Sequence, residues 1–157
     1  MSLTYNLILN TQIQTTANKP NLYTVQYNVN WDAILPRKFQ EYQLIWTFKS
    51  VNTATSINEN LFIDINFGGS NSYELTNQMS NKIGFIYPNA VQQTSTTWSY
   101  FYQSTIYDNP PVQISYPCSN IITVRLYKFD GVSAPSFNLD YVLELSFTPI
   151  LYDFLLR

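Results

Sequence analysis

The sequence predicts an all-β protein folded as a single eight-stranded antiparallel jelly-roll sandwich. Three observations lead there. Apolar residues recur at every second position along most of the chain, the period of a half-buried strand. No stretch of ten or more residues carries the 3.6 period of a helix. The apolar runs are joined by irregular, often long connections, which suit Greek-key links better than the even hairpins of an up-and-down barrel. An immunoglobulin-like sandwich has similar strand numbers and spacing, so periodicity alone leaves it open. At 157 residues the chain suits one domain with a sizeable core.

The strands are read in order. In residues 23–31, Tyr23, Val25, Tyr27, Val29 and Trp31 point one way, and Thr24, Gln26, Asn28 and Asn30 the other. Pro36 breaks the segment that follows. Tyr42, Leu44, Trp46 and Phe48 form the second run. Leu61, Ile63, Ile65 and Phe67 form the third, closed by Gly68-Gly69-Ser70. Ile83, Phe85 and Tyr87 give a short strand ending at Pro88, and residues 98–106 a longer aromatic one. Val112, Ile114 and Tyr116 lie between prolines. Ile122, Val124 and Leu126 run to the turn pair Asp130-Gly131. Tyr141, Leu143, Leu145 and Phe147 complete eight strands before Pro149, and residues 3–9 offer a ninth run. The core is expected over about residues 20–149 of a single domain, with an N-terminal arm over 1–19 and an apolar tail over 150–157.

Composition bears on what the surface meets. Charged residues make up 11 %, less than half the usual share of about 25 %. Asn, Gln, Ser and Thr fill the gap with 56 residues, 17 of them Asn. A surface of amides and hydroxyls repels little at close range, whereas charge keeps chains apart. An AT-rich genome accounts for part of the Asn and Tyr excess but not for scarce Lys. Net charge is −2, and only Arg37 and Lys38 are adjacent bases, so no nucleic-acid surface is expected. The lone Cys118 excludes an intrachain disulfide, and no Asn lies in a glycosylation sequon. The opening residues carry no basic segment of a signal peptide, and no apolar run reaches membrane-spanning length.

The chemistry of an enzyme is hard to find. There is no His, which removes the commonest base and metal ligand and every Ser–His or Cys–His pair. Asp64 and Glu144 sit on polar strand faces and could meet across a sheet, but solvated surface acids are by far the better explanation. Cys118 reads as a small turn residue rather than a reactive thiol. Gly68-Gly69 fits no phosphate-cradling pattern. The expectation is therefore no catalytic residue, no cofactor and no metal site. Trp98, Tyr100 and Tyr102 share one strand face and form a candidate aromatic ligand platform for a sugar, or else a core-facing strand. Leu151, Tyr152, Phe154, Leu155 and Leu156 are candidate partner-docking residues, unless they pack on their own domain.

The run of residues 23–36, the strand ending Phe48-Lys49-Ser50, Asn109-Pro110-Pro111, Pro117-Cys118-Ser119-Asn120 before the strand over 121–126, and the closing 139–149 segment resemble a known family. They resemble the small single jelly-roll capsid proteins of large eukaryotic DNA viruses and virophage-like elements, over roughly residues 20–150. The resemblance implies a non-enzymatic structural protein of the virion, assembled in the host cytoplasm. It implies a penton base at the capsid vertex, a homopentamer touching neighbouring capsid proteins, or else a minor cement protein between capsomers. A carbohydrate-binding β-sandwich is the alternative drawn from the aromatic strand.

Overall fold

The computed structural model describes residues 3–14, 23–51, 58–67, 73–74, 79–80, 82–92, 96, 98–135 and 139–151. Its strands are β1 (Tyr5–Asn10), β2 (Thr24–Asn28), β3 (Glu41–Ser50), β4 (Leu61–Asn66), β5 (Tyr73–Glu74), β6 (Met79–Ser80), β7 (Lys82–Gln92), β8 (Trp98–Ser104), β9 (Val112–Ser115), β10 (Ile121–Lys128) and β11 (Tyr141–Pro149).

The pairing is that of a long antiparallel ribbon rolled on itself. Leaving β5, β6 and β8 aside, eight strands pair from the outside in: β1 with β11, β2 with β10, β3 with β9, and β4 with β7. Rolling the ribbon then brings β11 against β3 and β10 against β4. Two four-stranded sheets result, β1-β11-β3-β9 and β2-β10-β4-β7. That is the jelly roll, two interlocked Greek keys whose long connections cross between sheets.

Membership of the eight differs from the sequence expectation. Residues 5–10, assigned to an N-terminal arm, are the first strand of the roll, so the folded core begins at residue 5 rather than near 20. The aromatic strand over 98–104 is an addition, giving nine strands in one continuous ladder beside the short β5–β6 hairpin. The strand expected to end at Pro88 continues to Gln92. Its first part pairs with β4, and from Tyr87 onward it pairs with β8, which reaches β3 of the other sheet. Pro88 is tolerated because its partner Tyr102 turns its own N–H to Ser50 Oγ on β3, 2.8 Å away. The pair exchanges no ladder bonds, so the N–H that proline lacks would face the edge β4 has left.

Alternation builds the core. On β3, Tyr42, Leu44, Trp46 and Phe48 point in, and on β11 Tyr141, Leu143, Leu145 and Phe147 do the same. Val25 and Tyr27 of β2, Ile63 and Ile65 of β4, and Ile122, Val124 and Leu126 of β10 close it from the other sheet. Tyr27 and Tyr141 are both buried between the sheets, and desolvation raises both phenols. Neither hydroxyl makes a hydrogen bond of good geometry. The outer face of the β1-β11-β3-β9 sheet carries many amides and hydroxyls, Asn6, Gln43, Thr47, Gln113, Ser146 and Thr148 among them, beside Ile8, Ile45, Val142 and the charged Glu41, Lys49 and Glu144. Ser146 Oγ donates to Asn6 Oδ1 at 2.8 Å across β11 and β1.

Candidate functional site

One end of the sandwich is pinned by a polar cluster. Arg37 lies five residues beyond Asp32, and the intervening turn folds its guanidinium back onto the carboxylate. Nε donates to Oδ1 at 2.6 Å and the second nitrogen to Oδ2 at 2.7 Å. Tyr116, just past β9, adds its hydroxyl to Oδ1 at 2.8 Å. Trp31 Nε1 donates to the Ser119 carbonyl at 2.8 Å, tying the same two loops together. A cleft of about 320 Å³ lies among Trp31, Asp32, Arg37, Tyr116, Cys118 and Asn120. A carboxylate held by three donors is a weak base, and it suits joining loops better than proton transfer.

Arg37, and secondly Tyr116, hold the Asp32 carboxyl at about 2, below its ordinary value of 3.8. The fold favours the ionised form, so this contribution is complete above the ordinary value. It is lost as pH falls through about 2. Following the Asp32 carboxyl by NMR will show that low midpoint. Arg37→Ala will return it toward the ordinary value, and Tyr116→Phe will do so by less. A wild-type midpoint near 3.8 would mean that the exposed pair does not persist in solution.

The sequence-derived candidates fall in different places. Asp64 and Glu144 lie on the outward faces of opposite sheets, with the core between them, and do not meet. Cys118 is exposed in the connection between β9 and β10. Along β8, Trp98 is 48 % exposed, Tyr100 packs partly against the core, and Tyr102 is wholly buried, its phenol pushed up to about 12 by burial. Only Trp98 and Tyr100 of the three present ring surface to a ligand. Leu151 is 76 % exposed, just past the point where Ile150 N–H donates to the Glu41 carbonyl. Tyr152, Phe154, Leu155 and Leu156 lie outside the described residues. Among the described residues no group of three or more Cys, Asp or Glu is placed to hold a metal, and no helix is long and apolar enough to cross a membrane.

The most distinctive surface is one the sequence reading missed. On the outer face of the β2-β10-β4-β7 sheet, Phe62 of β4 stands directly opposite Phe85 of β7 and Tyr127 of β10. The Phe62 and Phe85 rings are 4.5 Å apart. Phe129, just past β10, stacks on Phe62 at 5.7 Å and lies 6.1 Å from Phe85, which in turn stacks with Tyr87 at 6.4 Å. Phe62 is covered by its neighbours, while Phe129 is 59 % exposed and Val132 beyond it 81 % exposed. Tyr127 flanks the cluster, its phenol raised chiefly by burial.

A bulge creates this face. Ile63 pairs with Gly84 but Asp64 pairs with Lys82, so Ile83 is an extra residue in β7. Ile83 and Ile86 are both buried, and Phe85 and Tyr87 are thereby turned outward. Perfect alternation of Ile83, Phe85 and Tyr87 in the sequence concealed the change of face. The single hint was Gly84 between them.

Comparison with known protein families, with curated proteins and with solved structures gives no match. The jelly-roll assignment accordingly rests on strand order and register. The Phe62 and Phe85 rings are tilted by 38°, and Phe129 stacks on them at 23° and 29°.

Proposed function

We propose that this chain is a structural subunit of a viral capsid, a single jelly roll that assembles with copies of itself as a penton base. The observation that carries the reading is the aromatic outer face around Phe62, Phe85 and Phe129, on a roll whose opposite outer face carries many uncharged amides and hydroxyls. Phe129 and Val132 stay exposed at the rim of this half-covered ring cluster, and exposed apolar surface of that kind suits contact with a partner. Scarce charge removes the repulsion that would oppose close packing of identical subunits. The sequence resemblance to single jelly-roll capsid proteins adds the kind of assembly. A five-fold ring uses one heterologous contact repeated until it closes. A minor cement protein would use the same surfaces against different neighbours.

Native mass spectrometry of the purified full chain will show five copies of the 18.2 kDa subunit, and the protein will be found in purified virions. Three copies would exclude the penton in favour of a trimeric capsomer. A strict monomer at high concentration, together with absence from virions, would overturn the capsid reading.

A further inference from the structure

The polar cleft at the end of the sandwich where β10 begins is walled by two connections that are tied to each other three times. Val29 N–H donates to the Asn120 carbonyl at 2.7 Å, Trp31 Nε1 to the Ser119 carbonyl at 2.8 Å, and the Tyr116 hydroxyl to Asp32 at 2.8 Å. The walls are therefore set before anything binds, which lowers the entropy cost of recognition. Two exposed amides line the cleft, Asn30 on one wall and Asn120 on the other. Asn30 stands at the N-cap of the turn over Trp31–Ala33, yet its side chain caps nothing. Asn120 serves the fold through its main-chain carbonyl. Among the described residues neither amide is given to another group of the chain.

Between the amides lies the Asp32–Arg37 pair. Arg37 gives Asp32 two of its N–H donors, out of about five on a guanidinium. Asp32 has about four acceptor positions on its carboxylate, of which Arg37 and Tyr116 occupy three. Donors and acceptors thus stand side by side, and the two charges in the lining cancel. An anion gains little from such a cleft, and an apolar ligand would strand its amides. Vicinal hydroxyls, each both donor and acceptor, match it. We infer that this cleft binds one neutral sugar residue, whose hydroxyls bond the Asn30 and Asn120 amides beside the Asp32–Arg37 pair. Its volume of about 320 Å³ is at the small end for ligand sites, which suits one ring rather than an extended chain. The bonds are made near water, so binding is weak. The site is separate from the aromatic strand β8 and from the Phe62–Phe85 face, and it does not depend on assembly.

Cys118, the one cysteine of the chain, lies exposed in the same lining and reports on occupancy. Its alkylation by iodoacetamide is followed in the full protein with galactose, glucose, mannose or N-acetylglucosamine added, and with glycerol as the control. At least one of the sugars will slow the reaction saturably where glycerol does not. The same sugar will shift the NMR signals of the Asn30 and Asn120 side-chain amides. Asn30→Ala and Asn120→Ala remove exposed amides, so both will keep the wild-type unfolding midpoint, and each will weaken that sugar about tenfold. Should either variant unfold early, the alkylation and NMR readings of the wild type decide. Immobilised glycans ending in the same sugar will bind too; if they are refused, the site stands as one for the free sugar. Alkylation that no sugar slows, or that glycerol slows equally, overturns the inference. So does N-acetylneuraminic acid binding where the neutral sugars do not. Binding lost in Trp98→Ala but kept in Asn120→Ala would put the sugar on β8 and overturn it as well. A chain that assembles yet binds no sugar leaves the capsid reading standing.

Discussion

Replacing Phe147 with alanine will cost about 4 kcal/mol of stability, within the range for removing a buried aromatic ring. Phe147 is fully buried on β11. Its ring meets Trp31 at 5.7 Å, Phe67 at 6.2 Å and Tyr42 at 6.4 Å, each close to edge-on. Edge-to-face pairs of this kind add about 0.5–1.5 kcal/mol beyond the area they bury. The three partners come from β3 and from the connections after β2 and β4, and two of them are anchored by hydrogen bonds of their own. Trp31 is tied to Ser119, and Tyr42 donates its hydroxyl to the Pro36 carbonyl at 2.8 Å. Because those neighbours are pinned, the cavity will not collapse, and the loss will sit toward the upper part of the range. Thermal unfolding will show a midpoint lower by roughly 10 °C for a domain of this size. Phe147→Leu, which keeps most of the volume, will lose less than half as much. A fall of under about 1 kcal/mol for the alanine variant would show that the cluster repacks freely.

Most of the roll was legible because its inner faces alternate without interruption. Tyr141, Leu143, Leu145 and Phe147 are apolar and Glu144, Ser146 and Thr148 polar, so β11 announces both its ends and its buried face. The first strand was obscured for the opposite reason. Leu7, Ile8 and Leu9 are apolar at both parities, yet Leu9 is buried and Ile8 largely exposed. Among the described residues β1 is an edge strand paired with β11 alone, so it is fixed by register with a partner more than 130 residues away, which local pattern cannot carry.

The candidate surface was concealed by the same limitation. A run of Ile83, Phe85 and Tyr87 has one meaning in a regular strand and another across a bulge, and the bulge is set by how β7 meets β4. Phe129 sits in a turn beyond β10, where alternation makes no statement about which side a ring takes. The aromatic excess in the composition was plain. Which rings would fill the core and which would gather outside depended on tertiary pairing.

Gly84 is where that pairing is most exposed to test, and Gly84→Ala will destabilise the fold by about 3 kcal/mol. Its φ of +155° is one that residues with a side chain rarely adopt. A β-carbon there would stand 2.1 Å from Asn109 Oδ1 and 2.8 Å from Trp46 Cζ2. Asn109 cannot step aside without loss. Its Oδ1 accepts from Phe85 N–H at 2.8 Å, and its Nδ2 donates to the Phe85 carbonyl at 2.9 Å and to Ser104 Oγ at 2.8 Å. The amide thus pairs with Phe85 as a neighbouring strand would, holding the residue outward beside Phe62. Displacing it leaves two backbone groups of β7 without that partner, at about 1–3 kcal/mol for each group left unsatisfied. The backbone strain adds about 1–3 kcal/mol, and partial rescue by water offsets some of the sum. Asn109→Ala removes the amide and keeps the glycine, so it will cost less than Gly84→Ala. Both will loosen the Phe85 ring, visible as faster amide exchange at Phe85 in the folded state. If Gly84→Ala is as stable as the wild type, the β-carbon has found room. The bulge is then not what holds the rings on the outer face.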